Sequence, residues 1–357
     1  MTRIGADVKF HDGACRLADD PRSAIGALAG LGYQGILVRT IDEAFPTLDE
    51  REIASFAHTA DEHGFFVRMG IGKVNPYMTA ELPRVRQLGG GSYRAGMERM
   101  IRLCARFGWT EVWTAVGGFK PGLPAPFCFD RFRTDVTWQA QLDSTARFIQ
   151  VLAPTLRAEG VRLNIETHEE ITTHELVRLV ESLGPDIAGV CLDPANLPVR
   201  GEAVAPAAAR VAALTHLTHL RDFVLLPSEH GISRFLAPIG DGCIDWPGLL
   251  EALRGRDDVD LIVEGIGGTR AEMLLQPRDP FWVAAHPDLD PSEIAELERV
   301  AGTQEELARS GEGPDAARLR TTSEPVADHR DFLARSLAAL RALVPADAAR
   351  SAGAAAR

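Results

Sequence analysis

A helical stretch that ends at a glycine and leads into a short apolar run recurs along the chain, and this repeat limits the possible folds more than any other feature. The glycines are Gly32 in LAGLGYQGILV, Gly64 in DEHGFFVRM, Gly108 in ARFGWTEVWTAV, Gly160 in RAEGVRLNIE and Gly184 in ESLGPDIAGVCLD. A glycine just past a helix end supplies the left-handed conformation that closes the last turn. The stretches before these glycines carry apolar residues at i, i+3, i+4 and i+7, as in Ile53, Phe56, Ala57 and Ala60, or Met97, Met100, Ile101 and Cys104. Runs such as GILV, VRLNIE and LIVE are apolar on both sides of the alternation, as parallel strands covered by helices require. Candidate strands fall at residues 3–8, 35–39, 65–69, 111–116, 161–166, 188–193, 214–219 and 260–264. Eight strands alternating with helices, and no GxGxxG turn after the first, predict an α/β fold of the (β/α)8 TIM barrel type rather than an open doubly wound sheet.

The chain has 357 residues, more than the about 250 of a bare barrel. The surplus is expected in two places. Residues 269–327 break the repeat with LLQPRDPFWVAAHPDLDP, a helix starting near Ser292 and the polar GEGPDAARLRTTSEP, ahead of a closing helix over 328–343. A long loop rich in proline and aromatics, FKPGLPAPFCFD at 119–130, follows the fourth strand. Loops in these positions build the active-site face of a barrel. The expected organisation is one TIM-barrel domain over residues 1–343, with the insertion 269–327 over its C-terminal face and a flexible tail over 344–357.

Lys and Arg number 38 against 50 Asp and Glu, a formal net charge of −12, with no basic block in the acidic background. Nucleic acid and anionic membrane surfaces are therefore excluded as expected partners. The five cysteines are scattered and form no CxxC pair, which speaks against a disulfide scaffold or a zinc knuckle. The first twenty residues carry Asp7, Lys9, His11 and Asp12 where a signal peptide needs an apolar stretch. The sequence reads as that of a soluble cytoplasmic protein.

In a parallel barrel every strand finishes at the same rim, so residues that end successive strands converge. Four consecutive strands end in metal-ligand types: Glu166 in NIETH, Asp193 in CLDPAN, His219 in THLRD and Glu264 in IVEGIGG. One acid at a strand end is commonly a helix cap. Four polar residues in succession, each directly after an apolar run, are costly to bury without a partner or a cation. Three carboxylates and one imidazole make a mainly hard site, which suits one divalent metal, Mn²⁺ first, with Mg²⁺, Co²⁺ or Zn²⁺ as alternatives. Further rim candidates are His168, a general acid or an outer partner of a ligand, and Arg221, placed to hold a substrate oxygen. His11, Arg68, Lys73, Trp113, His230 and Arg234 follow strands one, three, four and seven in this reading.

The segments NIETH, LDPAN, HLRD, PIGDGCIDW and IVEGIGG, in that order, resemble the consecutive motifs of the sugar phosphate isomerase/epimerase family, whose members have a xylose-isomerase-like TIM barrel. The resemblance covers roughly residues 1–268 and the closing helix. It implies that Glu166, Asp193, His219 and Glu264 bind one divalent metal, that Glu166 and Glu264 double as an acid/base pair, and that Asn196 stands where several epimerases contact substrate. The implied activity is that of an isomerase or epimerase on a sugar or keto-sugar, working by proton abstraction through an enediolate. The same carbanion serves a lyase or dehydratase, such as one that cleaves a 3-oxo-glycoside, in some cases with a partner subunit. A non-catalytic barrel subunit is a further alternative, and homo- or hetero-oligomers are both compatible with the resemblance. Thr167 and His168 stand where two-metal hydride-shift isomerases carry a lysine, which favours single-metal proton transfer. No Gly-rich phosphate cradle is present, so the expected partner is a small carbohydrate without an indicated phosphate.

Overall fold

The computed structural model describes residues 3–10, 13, 15–78, 82–118, 120, 122–256, 259–321 and 324–344. In chain order its strands are β1 (Ile4–Val8), β2 (Gly35–Val38), β3 (Phe66–Gly70), β4 (Glu111–Thr114), β5 (Arg162–Glu166), β6 (Ala188–Leu192), β7 (Thr215–Thr218), β8 (Asp222–Ser228), β9 (Gly231–Ala237), β10 (Leu261–Val263) and β11 (Met273–Leu275). Eight of them run parallel in the order β10-β1-β2-β3-β4-β5-β6-β7, which is the TIM barrel expected from the repeat. The seam between β7 and β10 is closed by a parallel bridge between Leu220 and Val263. The Thr218 hydroxyl reinforces it, donating to the Asp260 carbonyl at 2.9 Å and accepting from the Ile262 amide at 2.9 Å.

Helices with apolar stripes cover the outside of the barrel. Ile25 and Leu28 of helix Pro21–Leu31 and Ile53 and Phe56 of helix Glu50–Glu62 are wholly buried. The first of these helices ends as expected at Gly32, whose φ of 97° lets its amide return to the carbonyls of Leu28 and Ala29. At the end where the strands begin, Asp260 accepts from Arg3 Nε at 2.8 Å and from Arg68 Nη2 at 2.6 Å. This corrects the reading of Arg68 as a rim residue: it lies within β3 and its guanidinium turns to the opposite end of the barrel.

Two elements depart from the sequence reading. Residues 222–237, which follow the seventh candidate strand and fall in no candidate strand, form the antiparallel hairpin β8–β9, and β11 adds to it as a third strand. Val224, Leu226, Phe235 and Ala237 of this sheet pack on Leu319 of the insertion. The turn of the hairpin exposes His230, which is thereby removed from the rim candidates. The closing helix starts earlier than expected, at Pro325, and the polar stretch before it contains a short helix, Ala316–Arg320.

The helix expected near Ser292 runs over Pro291–Ser310 behind an Asp290 cap. Ahead of it, Trp282 is fully buried and stacks on His286, with ring centroids 3.8 Å apart, while Phe281 and Val283 face solvent. The Arg200 guanidinium, which follows β6, lies 4.9 Å from the Phe129 ring centroid, 5.5 Å from Phe132 and 6.0 Å from Trp282. Arg131 grips Glu175 with two hydrogen bonds of 2.7 and 3.0 Å and reaches the Ala285 carbonyl through Nε at 2.9 Å. Glu293 accepts from the Ala203 amide at 2.8 Å and from Arg210 at 2.6 Å. The insertion is thus fastened to the loops after β4 and β6. Residues 345–357, the rest of the expected tail, lie outside the described residues, as does His11.

Candidate active site at the strand ends

Glu166 is the last residue of β5, and Asp193, His219 and Glu264 are each the first residue after β6, β7 and β10. All four are buried. One donor atom each of Glu166, His219 and Glu264 lie within 4.8 Å of one another. His219 Nδ1 stands 3.3 Å from Glu166 Oε1 and 3.7 Å from Glu264 Oε2. This nitrogen and these oxygens form a donor set of hard character in a buried place, and beside them His219 Nε2 has no hydrogen-bond partner among the described residues. The group fits a divalent cation.

Asp193 stands beside this group and is held by other contacts. Its Oδ2 accepts from Arg221 Nε at 2.8 Å and from Asn196 Nδ2 at 2.9 Å, and its Oδ1 accepts from the Ala195 amide at 2.9 Å. Arg221 Nη2 also reaches Glu264 Oε2 at 3.1 Å and Asn196 Oδ1 at 3.2 Å. The Asn196 and Arg221 side chains are therefore brought to the rim as anticipated, in contact with the acids. Trp113, which sits in β4, donates from Nε1 to Glu166 Oε2 at 3.0 Å, fixing one oxygen and leaving the other toward His219.

Burial alone would raise the Glu264 carboxyl, but Arg221, Lys9 and His219 together hold it well below the usual carboxylate range. Burial works the same way on Glu166, and His168 and His219 outweigh it, pulling the group down to about 2. His219 feels burial as a lowering influence, overcome by Glu166 and Glu264, so its pKa is raised. For Asp193 burial prevails over Arg221 and lifts the carboxyl to about 7. Every contact Asp193 makes is nevertheless to a donor, so while Arg221 is in place it accepts as a carboxylate. His168 pairs through Nδ1 with Glu170 and through Nε2 with Glu169 at 3.2 Å. Burial opposes its protonation, yet Glu170, Glu169 and Glu166 raise it to about 9.

The sequence reading missed two cations of this ring. Lys9 and Arg39 are the first residues after β1 and β2, the position that singled out Asp193, His219 and Glu264. Lys9 Nζ contacts Glu264 Oε1 at 2.7 Å and stands 3.8 Å from Asp7. Asp7, whose Oδ1 has no partner among the described residues, is raised by burial to about 6 against the pull of Lys9. Arg234, on β9, is fully buried and meets Glu169 at 3.2 Å.

The profile of xylose isomerase-like TIM barrels matches residues 25–289. The chain belongs to this family. Among curated proteins, a stretch of 129 residues is 26% identical to the 3-oxo-isoapionate decarboxylase of Pectobacterium atrosepticum, covering 34% of this chain and 46% of that protein. The chain thus spans just under half the length of this relative. Solved structures of the family fold are similar throughout. The 3-keto-D-glucoside 4-epimerase of E. coli superposes with a TM-score of 0.53 at 14% identity, covering 84% of this chain and 100% of that one. The D-psicose 3-epimerase of Clostridium cellulolyticum gives 0.55 at 15% identity, covering 87% and 100%. A xylose isomerase-like barrel protein from Mycobacterium smegmatis, in complex with magnesium, gives 0.53 at 18% identity, covering 84% and 98%. At these identities the structures establish the fold. No helix among the described residues is long and apolar enough to cross a membrane.

Proposed function

We propose that the chain is a cytoplasmic, divalent-metal-dependent isomerase or epimerase of a small oxo-sugar. The observation that carries this reading is the buried convergence of Glu166, His219 and Glu264 from three strands on one point. Glu166, His219 and Glu264 would hold the metal, Mn²⁺ or the similar Mg²⁺, Co²⁺ or Zn²⁺, with Asp193 as fourth ligand. A bound divalent ion supplies the positive charge that polarises a carbonyl and eases loss of the neighbouring proton. Glu166 and Glu264 leave separate strands and face each other across His219, which suits removal of a proton by one and its return by the other. Trp113 keeps Glu166 aimed, and Asn196 and Arg221 orient substrate oxygens. Residues 1–343 act as one unit in this reading, with 269–327 as a cover over the rim; the epimerases among the similar structures and the decarboxylase among the relatives are in keeping with carbohydrate chemistry.

A second reading, a lyase that expels a leaving group from the same carbanion, is favoured by His168. It is held protonated close to Glu166, as a general acid for a departing group must be. Incubating the Mn²⁺-loaded protein with D-psicose, D-tagatose and 3-keto-D-glucose in deuterated buffer tests both. Solvent deuterium on a product of unchanged formula supports the epimerase, and a released fragment supports the lyase. Turnover that survives intact in metal-bound Glu166→Gln and Glu264→Gln proteins would overturn the acid/base assignment.

A further inference from the structure

Leu197–Arg200 is a single turn of 3-10 helix shortly after β6, and its two ends serve different parts of the molecule. At its start Asn196 stands between two of the candidate metal ligands. Its Nδ2 donates to Asp193 Oδ2 at 2.9 Å and lies 3.5 Å from Glu166 Oε1, while its Oδ1 accepts from Arg221 at 3.2 Å. At its end the Arg200 side chain is wholly buried among residues of the insertion and of the loop after β4. Nη1 faces His286 Nε2 at 3.2 Å, and Phe129, Phe132 and Trp282 surround the guanidinium.

The backbone between these ends has little room to move. The Val199 amide donates to the Asn196 carbonyl at 3.1 Å and the Glu202 amide to the Leu197 carbonyl at 3.2 Å, and Pro198 fixes one of the intervening φ angles. Gly201 follows with a φ of 79°, and a Cβ there would come within 2.8 Å of Leu289, 2.9 Å of Ile294 and 3.0 Å of Trp282. The exit of the turn is therefore pressed against the insertion. Glu202 then accepts from the Thr173 amide at 2.8 Å and from Arg210 at 3.0 Å, which ties the same segment to the helix Thr173–Leu183. A displacement at Arg200 is carried to Asn196 by a short, stiff piece of chain.

Stability alone does not call for an arginine in this place. Burial pulls its pKa down to about 9, with Arg131 adding to the effect, and its Nε has no hydrogen-bond partner among the described residues. An apolar side chain of similar length would fill a box of aromatic rings without that cost. What the planar guanidinium adds is direction, since packing on the rings and meeting His286 fixes both its plane and its position.

We propose that Arg200 is a positioning residue for the metal site: clamped by the insertion, it fixes the turn that aims Asn196, and Asn196 in turn holds Asp193 and Glu166 in place for a divalent ion. The insertion then helps to shape the site, in addition to the covering role given to it above. The inference rests on the metal reading and adds a remote residue to it.

Calorimetric titration of the full chain and its variants with Mn²⁺, together with the electron paramagnetic resonance of the bound ion, tests it. Asn196→Ala should weaken binding by about 10- to 100-fold, as loss of an outer partner of metal ligands does, and Arg200→Met by about tenfold, the low end of that range. The two variants should alter the resonance alike. The double variant should bind no more weakly than Asn196→Ala alone, because both changes act through one side chain. Arg200→Lys, which keeps a cation among the rings, should recover part of the loss, and it carries the test if Arg200→Met does not fold. Leu297→Ala, at a buried position of the helix Pro291–Ser310, is the control for a weakened insertion. It should lower the Tm and leave both the Mn²⁺ affinity and the resonance unchanged. Unchanged affinity in the Arg200 variants, losses that add in the double variant, or an equal loss in Leu297→Ala would overturn this inference and leave the metal reading standing. Failure of the parent chain to bind Mn²⁺ would take down that reading and this inference together.

Discussion

Lys9 Nζ contacts Oε1 of Glu264 at 2.7 Å, so a cation of the chain itself already occupies one side of a candidate metal ligand. An ammonium this near a divalent site repels the ion, and removing it leaves an acid in want of positive charge. Lys9→Met should therefore tighten Mn²⁺ binding by roughly tenfold or more while lowering the Tm of the metal-free protein. Calorimetric titration and thermal melts with and without Mn²⁺ check both; weaker binding in the variant would show that Lys9 supports the site.

Elemental analysis should find one divalent metal per chain. His219→Ala removes the nitrogen between the two glutamates and should abolish retention. Asp193→Ala separates the sequence reading from the geometry, because Arg221 and Asn196 hold this carboxylate. If Arg221 yields Asp193 to the ion, affinity falls by about 10- to 100-fold; unchanged affinity confines the site to the other three residues.

The insertion separates into a buried anchor and an exposed face. Trp282 is fully buried, while Phe281 is 51% exposed. Trp282→Ala should cost about 3–5 kcal/mol, and Phe281→Ala within about 0.5 kcal/mol. Urea denaturation at constant pH measures the difference, and limited proteolysis should open residues 291–310 in the first variant alone. Equal effects would contradict this packing.

His286 makes stability fall with acid. Its Nδ1 faces the Trp282 carbonyl at 2.6 Å and its Nε2 faces Arg200 at 3.2 Å, an arrangement for a neutral ring with its proton on Nδ1. Burial, then Arg200 and Arg131, depress its pKa far below the ordinary histidine value of 6.5. The unfolded chain takes up a proton below about 6.5 that the folded chain refuses, so this contribution is full above that pH and declines below it, by at most about 1.4 kcal/mol per pH unit. Melts from pH 7 to 5 should show a steeper loss in the parent protein than in His286→Gln. Parallel curves would mean that the ring titrates normally.

The barrel was readable because five of its eight strands, β2 to β6, carry two independent marks, an apolar run and a preceding glycine with a positive φ. The hairpin β8–β9 has only the first. DFVLLPS and GISRFLA follow THLRD without an intervening helix, and Pro227 looks like a break although it sits near the turn. Three of the four predicted ligands lie one residue beyond their strands, too small a displacement to disturb their convergence. What the sequence hid was charge compensation. Lys9 and Arg39 are ordinary basic residues until β1 and β2 are set beside β10, and the turn of Arg68 toward Asp260 depends on a partner 192 residues away. Chemistry at strand ends follows from local pattern, whereas the choice of ion-pair partner is made by the closed ring.

The pairing of β1 with β10 joins residues from opposite ends of the barrel sequence, Ile4 with Leu261 and Ala6 with Val263. During synthesis, β1 through β7 can associate while the ring still has a gap, and contacts of such long range are the last to form. Until the gap closes, Asp7 and Lys9 lack their buried neighbour Glu264, and His219 faces one glutamate rather than two. A nascent chain halted before Leu261 is therefore not a weak version of the finished protein. It has strands, helices and most of a core, but the charged centre comes into being in one step, with the stitch that makes the sheet endless.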